Sequence, residues 1–272
     1  TFHGTYNFKS NIKKFYNSIM LRAKLTIAGS NFIFSHINEN YSEYLNKEKK
    51  LRVIYRGINV DYYNSKNISL LKKEKLKEEW NLSSNKFNIL LPGRLTYWKG
   101  QEKFIESLNI LIEDYSVTDF QAIILGPDQG RKVYKKKLIN LVERYKLNKK
   151  IKFISHCKEM PLAYSLSDVA VSASIEPEAF GRISIEAQSM GKPIIASNIG
   201  GSKESIINKK TGLLYKHDDP RELAKCLNTV IQLSPDELKS MGNEGRKNIT
   251  KKFDVEIMCQ SNLKEYRKLI KN

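Results

Sequence analysis

Two basic residues flanked by glycines follow a short apolar segment and could bind phosphate. The segment reads LPGRLTYWKGQ, so Arg94 and Lys99 lie five positions apart, next to Gly93 and Gly100. A guanidinium can hold two phosphate oxygens, an ammonium supplies a mobile point charge, and glycine lets backbone approach a ligand closely. The pattern predicts a diphosphate site. In so basic a chain the same residues could also be solvated cations, so this motif alone leaves both interpretations open.

Two glutamates separated by seven residues follow another apolar segment. They are Glu178 and Glu186 in EPEAFGRISIEAQSMGKPIIAS, where Gly181 indicates a tight turn and a short helix is predicted near Ile183. Glu186 has apolar neighbours, and a buried carboxylate needs hydrogen-bond donors, which ribose hydroxyls would supply. Free N–H groups at the helix start favour a phosphate or a sugar hydroxyl. Spacing, glycine and apolar flanks together predict a ligand site rather than ordinary surface charge.

An alternation of strands and helices from residue 88 onward must position these motifs. Because the strands are continuously apolar, both faces of their sheet are expected to be covered, as in an α/β doubly wound parallel sheet. Right-handed crossovers then place all strand C-terminal ends, and the loops after them, at one edge where a ligand should bind. The predicted strands are 88–91, 121–125, 151–154, 169–172, 193–196 and 212–215.

The chain divides into three predicted parts. Residues 1–55 have a shorter α/β pattern and are predicted to be the last part of a separate domain. Residues 56–252 form the complete domain, whose polar beginning, 56–70, is predicted to be an interdomain linker. Residues 253–272 are predicted to form an amphipathic helix that packs back towards the N-terminal part. Because the first residue is Thr1 rather than Met, we expect the natural start to lie upstream.

The charge is unusual: 47 Lys and Arg residues against 29 Asp and Glu residues give a formal net charge of +18. Such a surface attracts polyanions. Two interpretations stay open, a compositional habit without a partner and a peripheral contact with an anionic membrane face. The lysines are scattered, and no recognition helix, RNA-binding aromatic signature or zinc module is found, so we expect no nucleic-acid partner.

Cysteines and hydropathy indicate the cellular compartment. The three cysteines match no zinc spacing, and an odd number fits a reducing cytoplasm better than a disulfide framework. No apolar run approaches the roughly 20 residues needed to cross a bilayer. We therefore expect a cytoplasmic protein, with peripheral attachment to the inner face of the cytoplasmic membrane as a hypothesis.

As a set, the motifs resemble the signature of family-four retaining glycosyltransferases of the GT-B fold. Gly-Arg with Lys-Gly five residues later precedes two glutamates seven residues apart, TFHGTY resembles the family's His-Gly loop, and RGINVDYY its interdomain turn. NIGGSKE and TGLLYKHDDP resemble the last strands of the sheet, so the resemblance covers nearly the whole chain. RLTYWKGQ and PEAFGR are most similar to a bacterial subgroup linked to lipopolysaccharide and other surface glycans.

The resemblance implies a role for each matching residue. Arg94 and Lys99 would hold the diphosphate of a nucleotide-sugar donor, such as a UDP-sugar. Glu178 would contact the transferred sugar, Glu186 the ribose, and His3 the reacting sugar from the facing domain. The remaining donor-binding positions, mainly through backbone, would be Gly93, Phe180, Gly181, Arg182 and Ile183.

The resemblance also implies transfer of a hexose-type sugar, with retention, to a glycan or lipid-linked acceptor. No Asp-any-Asp motif follows a strand, so we expect neither a metal ion nor another cofactor. Two alternatives stay open: a donor-binding module that needs a second chain for activity, and a nucleotide-sugar epimerase on the same fold. The sequence leaves the donor's base, its sugar and the acceptor undetermined.

Overall fold

Helices and strands alternate along the chain, as predicted. The computed structural model describes residues 1–6, 10–45 and 50–271, so the predicted parts at 7–9, 46–49 and 272 lie outside the described residues. The strands are β1 (Leu25–Ala28), β2 (Lys50–Val53), β3 (Phe87–Pro92), β4 (Phe120–Leu125), β5 (Ile151–Ile154), β6 (Val169–Ser172), β7 (Ile194–Ser197) and β8 (Gly212–Tyr215). The helices are α1 (Asn11–Ser18), α2 (Asn31–Tyr41), α3 (Leu70–Glu79), α4 (Gln101–Tyr115), α5 (Lys132–Arg144), α6 (Met160–Ser165), α7 (Arg182–Ser189), α8 (Pro220–Ile231), α9 (Pro235–Lys252) and α10 (Val255–Ile270).

The larger sheet is parallel, which confirms the predicted fold class. In the part of the chain that the structure describes, its strands lie in the order β5-β4-β3-β6-β7-β8. The chain runs outward from β3 to β5 and then returns, so β6 pairs with the other side of β3, with Ile89 opposite Val169 and Leu90 opposite Ala170. The strand order therefore reverses between β3 and β6, where open α/β sheets bind ligands.

The two faces of this sheet pack into separate hydrophobic layers because successive side chains of a strand point to opposite faces. Ile89 and Ile124 join a layer with residues of α4, α5 and α8. Leu90 and Ile123 join the other layer, with residues of α6, α7 and α9. Every residue of β4 is buried, as expected for a strand covered on both sides.

The N-terminal part forms a smaller parallel sheet. β1 pairs with β2, and Phe2 forms a bridge to Ala28. Ser30 follows β1 and caps the start of α2, because its hydroxyl accepts a hydrogen bond from the Ile33 N–H at 3.1 Å. The side chain of Ser30 thus sets the direction of α2 where the chain leaves β1.

The segment 56–70 differs from the predicted polar linker. Ile58, Val60 and Tyr63 are buried and pack into the core of the larger domain. The linker was predicted from the overall polarity of the segment, which the polar residues at 64–67 dominate. The three apolar side chains before them were therefore overlooked.

The last helix begins later than predicted. Phe253 ends α9, and Asp254 caps α10 by accepting the Glu256 N–H at 3.2 Å. The backbone there pairs with Ile58 through two hydrogen bonds of 2.9 Å. Further along α10, Glu265 lies 3.7 Å from Arg52 on β2. The contact with Arg52 connects α10 with the N-terminal part, while the exact boundaries 55/56 and 252/253 stay predictions.

Candidate active site

The loops after β3 and β6 lie side by side because these strands pair. The Ile175 N–H donates to the Trp98 carbonyl at 2.9 Å, which joins the two loops directly. Gly100 makes the approach possible: it has a φ of +70°, and a Cβ at this position would lie 1.9 Å from the Ala173 carbonyl oxygen. Any other residue would push the loops apart, which explains why glycine follows Lys99.

Lys99 and Glu178 meet across this junction. Lys99 Nζ lies 2.8 Å from Glu178 Oε1, and only 12% of each side chain is exposed. The Ser174 hydroxyl also donates to Glu178, and Lys99 Nζ lies 4.5 Å from the centre of the Trp98 ring. A cation and a carboxylate predicted from separate motifs therefore share one partly desolvated spot, where charge–charge interactions are stronger than in water.

Glu186 lies on α7 in a more enclosed environment, with 8% of its surface exposed. Its Oε2 accepts the Tyr164 hydroxyl at 3.0 Å, and its Oε1 accepts the Arg182 guanidinium at 3.1–3.2 Å. Tyr63 donates to the same carboxylate. Burial raises the pKa of Glu186, while Arg182 and the two phenols oppose that increase.

The donors around Glu186 correct one expectation. The sequence suggested that ribose hydroxyls would satisfy this carboxylate, but protein groups already do so. A carboxylate has about four lone-pair sites, so further hydroxyls can still be accepted.

Arg94 and Gly93 lie on the same loop as Lys99. The Arg94 side chain is exposed, and its carbonyl accepts the Gln101 side-chain amide at 2.9 Å. Gly93 has a φ of +146°, and the Lys99 side chain packs over it. Among the residues that the structure describes, no hydrogen bond or ion pair joins Arg94 to Lys99, Glu178 or Glu186. The guanidinium remains exposed at the rim of the site.

The residues between the two glutamates turn the chain into α7. Gly181 is the N-cap with a φ of +81°, and no side chain caps the helix. The Phe180 side chain is buried against Tyr55 and Phe253, and Ile183 is buried as well. At Phe180 and Ile183 it is therefore the backbone, rather than the side chain, that could meet a ligand, as the resemblance implies.

His3 contacts Arg56 rather than any of the predicted site residues. Its Nδ1 lies beside the Arg56 guanidinium, and partial burial together with that positive charge lowers the pKa of His3. Phe2 anchors the segment because its N–H donates to the Ile27 carbonyl at 2.8 Å. The neutral imidazole is thus held at the end of the smaller sheet.

The N-terminal part reaches the glutamate loop directly. The Ser30 hydroxyl donates to the Ala179 carbonyl at 2.5 Å. Glu204 accepts the N–H groups of Asn31 and Phe32 at 2.9 and 2.7 Å and so caps α2 from the larger domain. Burial and the charge of Glu204 raise the pKa of Tyr55 to about 12. Ser30 thus bonds to the residue after Glu178, and Glu204 joins the N-terminal part to the larger domain a second time.

Several side chains around the glutamates were not predicted. Tyr63 and Tyr164 approach Glu186 from distant segments, and no local pattern distinguishes them from core tyrosines. Glu204 could have been suspected, because NIGGSKE was noted as a family-like segment. Within residues 1–6, 10–45 and 50–271, no group of three or more His, Cys, Asp or Glu side chains is arranged to hold a metal ion.

Sequence comparison finds relatives among glycosyltransferases. The chain is 27% identical over 236 residues to spore coat protein SA of Bacillus subtilis, covering 84% of this chain and 61% of that protein. It is 25% identical over 205 residues to the capsular polysaccharide biosynthesis glycosyltransferase CapM of Staphylococcus aureus, covering 74% and 51%. The chain thus spans about three fifths or less of the length of these curated relatives.

Structure comparison gives the same assignment. A glycosyltransferase from Rickettsia africae superposes with a TM-score of 0.89 at 36% identity, covering 99% of this chain and 69% of that one. Anabaena HepE in complex with UDP-glucose superposes with a TM-score of 0.84 at 25% identity, covering 95% and 68%. The family model of glycosyl transferases group 1 matches residues 72–248, more than half of the chain and including every loop that carries Arg94, Lys99 and both glutamates. The chain therefore belongs to the group 1 glycosyl transferases and has the GT-B-type α/β fold of that family.

Proposed function

We propose that the chain transfers a hexose-type sugar from a nucleotide diphosphate to a glycan or lipid-linked acceptor, with retention and without a metal ion. The observation that carries the proposal is the pair formed by Lys99 and Glu178 where the strand order reverses. A UDP-sugar is the proposed donor, because the relative from Anabaena was crystallised with UDP-glucose. The capsular polysaccharide enzyme among the relatives supports a role in surface-glycan or lipopolysaccharide synthesis.

The donor's diphosphate would bind on the Lys99 side of the pair. Lys99 offers a partly desolvated ammonium, and the exposed Arg94 guanidinium can turn towards the same anion. The uncapped start of α7, with Gly181 and Arg182, adds backbone N–H groups that could donate hydrogen bonds to the diphosphate. Fixed donors of this kind stabilise charge that develops on a leaving group.

The transferred sugar would lie against Glu178. The bond between its anomeric carbon and the diphosphate oxygen breaks, and the acceptor hydroxyl oxygen bonds to the same face of that carbon. The acceptor's proton passes to the departing diphosphate, so no protein base is required. Glu178 accepts hydrogen bonds from sugar hydroxyls and stabilises the oxocarbenium-like state, and the role proposed for it is not that of a covalent nucleophile. His3, which lies beside Arg56 and whose pKa is lowered, is the proposed contact from the N-terminal part.

Glu186 would accept the ribose hydroxyls. The two tyrosines and Arg182 hold its carboxylate in one orientation, so it needs little rearrangement when the donor binds. This restraint reduces the entropy lost on binding.

The test is calorimetric titration with a panel of nucleotide sugars in the presence of a chelator. We expect at least one to bind with a Kd of about 1 mM or lower. Glu186→Ala and Arg94→Ala should abolish that binding, while Glu113→Ala and Arg221→Ala, which change exposed residues of α4 and α8, should preserve it. Unchanged affinity in both site variants would overturn the assignment.

A donor-binding module that acts with a second chain is the second candidate. The contacts made by Ser30 and Glu204 support it, because they join the N-terminal part, the proposed acceptor side, to the larger domain. Donor binding without release of nucleoside diphosphate, restored by adding a second polypeptide, would support the module. Membership in a transferase family favours transfer over epimerisation.

We also propose a cytoplasmic location with a peripheral contact to an anionic membrane. On α1 the apolar side chains Ile12, Phe15 and Tyr16 are at least half exposed, while the polar Asn17 and Ser18 are buried. The helix carries two lysines and no acidic residue, a composition that suits anionic lipid headgroups. In the described residues, no helix is long and apolar enough to span a bilayer.

A further inference from the structure

A cavity lies beside the loop that carries Lys99. It has a volume of about 640 Å³ and lies between the segment Thr96–Trp98 and the start of α5. Trp98 lines it, and the same indole ring contacts the Lys99 ammonium at 4.5 Å. One aromatic side chain thus separates this cavity from the candidate transfer site.

The cavity wall is aromatic and apolar. Tyr97 is 62% exposed and Val133 is 86% exposed, although both are large hydrophobic residues, and Tyr134 lies next to Val133. Exposed apolar side chains gathered in one concave place indicate a binding surface rather than chance exposure. Aromatic faces suit the C–H faces of sugar rings, and they leave the sugar hydroxyls free to form hydrogen bonds.

The rim is cationic. Arg131 and Lys132 are exposed, and neither forms an ion pair within the described residues; Lys137, also at the rim, pairs with Glu102 at 2.5 Å. The helix that begins here, α5, has no capping side chain and no acidic residue in its first turn. Arg131 donates to the neutral Gln129 side chain at 3.1 Å, so its charge is not neutralised there, and the first N–H groups of α5 together with the two cations favour an anion.

We propose that this cavity binds an anionic saccharide unit of the acceptor glycan. The aromatic wall takes the sugar ring, and Arg131, Lys132 and the start of α5 take its carboxylate or phosphate. The acceptor chain then runs past Trp98 towards Lys99 and Glu178. That the bound saccharide is part of the acceptor rests on the proposed transferase function, whereas the binding of the saccharide to the cavity does not.

The test measures binding of hexagalacturonate, neutral maltohexaose and glucose 6-phosphate by calorimetry. We expect hexagalacturonate, glucose 6-phosphate or both to bind at least about tenfold more tightly than maltohexaose. Binding of only one of the two anions would show whether the site takes carboxylates or phosphates. The double variant Tyr97→Ala/Lys132→Ala should weaken the anionic ligand by about tenfold or more. The matched variant Tyr266→Ala/Lys225→Ala, which changes exposed residues of α10 and α8, should change it less than about twofold.

Two controls make the result decisive. Donor titration on the same Tyr97→Ala/Lys132→Ala variant should be unchanged, so loss of saccharide binding and loss of donor binding are separate readouts. If donor binding fails while the anionic saccharide still binds the cavity, the proposed function is wrong and the cavity assignment stands. Equal binding of hexadeoxythymidylate, or equal affinity in the two double variants, would overturn the saccharide assignment in favour of unspecific attraction of polyanions.

Discussion

The two glutamates of one short motif have different partners. Glu178 lies on a loop, pairs with Lys99 and accepts a serine hydroxyl. Glu186, eight residues further and on α7, is bonded to two tyrosines and an arginine, although the exposed fractions of the two side chains are nearly equal, 12% and 11%. The same side chain is therefore suited to two tasks. The Glu178 carboxylate can exchange its protein partner for a ligand. The Glu186 carboxylate is held rigidly, so it can bind a ligand only in addition to its protein partners.

The difference in partners also bears on what burial costs at each glutamate. Glu178 has the equally buried Lys99 ammonium 2.8 Å from its Oε1, whereas the Arg182 side chain that pairs with Glu186 is 68% exposed. Burial raises the pKa of Glu186, so the carboxylate is maintained against a desolvation penalty by its neighbours. Stability given up in this way is typical of functional sites.

The largest expected effect comes from removing the cation beside Glu178. Lys99→Met should lower the rate of nucleoside diphosphate release from the donor by about a hundredfold to a thousandfold, because the leaving group loses a preorganised positive charge. Lys103→Met, on the neighbouring helix, is the control and should stay near the wild-type rate. If Lys99→Met releases nucleoside diphosphate at the wild-type rate, the proposal that the cation beside Glu178 acts in the transfer is wrong.

The loop between the glutamates is the next place to perturb. Gly181 and Gly130 share a φ of +81°, but a Cβ at Gly181 would lie 2.4 Å from Ser202 Cβ, whereas nothing lies within 4 Å of a Cβ at Gly130. Gly130→Ala should cost about 1 kcal/mol of unfolding free energy from backbone strain alone. Gly181→Ala should cost about 2–4 kcal/mol, since overpacking adds to that strain. Urea unfolding of both variants measures the difference, and equal losses would show that the loop tolerates displacement.

The buried glutamate should reveal itself in the pH dependence of stability. Its folded-state pKa is raised, so the protonated form is favoured in the folded protein, and its contribution to stability is lost as the pH rises through that pKa. The unfolding free energy of the wild type relative to Glu186→Gln should fall above about pH 4.3, by at most about 1.4 kcal/mol per pH unit. Urea titrations between about pH 4.5 and pH 7 measure this. A difference that increases with pH would contradict the burial argument.

The smallest effect tests the phenols that restrain Glu186. Tyr63→Phe removes one hydrogen bond to the carboxylate and should cost about 1 kcal/mol of unfolding free energy. Tyr62→Phe, at the neighbouring, half-exposed ring, should cost less than about 0.5 kcal/mol. Donor affinity should fall in the first variant and not in the second. Identical behaviour of both would mean that Tyr63 does not restrain the carboxylate.

Much of the fold was predictable because its signals are local. The strands at 151–154, 169–172 and 212–215 were predicted with the boundaries that the structure has, since short apolar runs bounded by polar turns leave little choice. The buried beginning of segment 56–70 was missed, because three apolar residues among polar ones carry no periodicity. The tyrosines at 63 and 164 were missed for a related reason: a core tyrosine and a tyrosine that supports a carboxylate look alike in sequence.

The sequence by itself determined which residues could do chemistry and that each chemical motif follows a strand, because residue type and hydrophobic pattern are properties of the local chain. Only the tertiary structure decided that the strand at 87–92 pairs with the strand at 169–172, which brings Lys99 to Glu178 and puts Trp98 in contact with both the Lys99 ammonium and the cavity beside it. That pairing depends on the packing of both sheet faces over the whole domain, a sum of many long-range contacts that no short segment encodes.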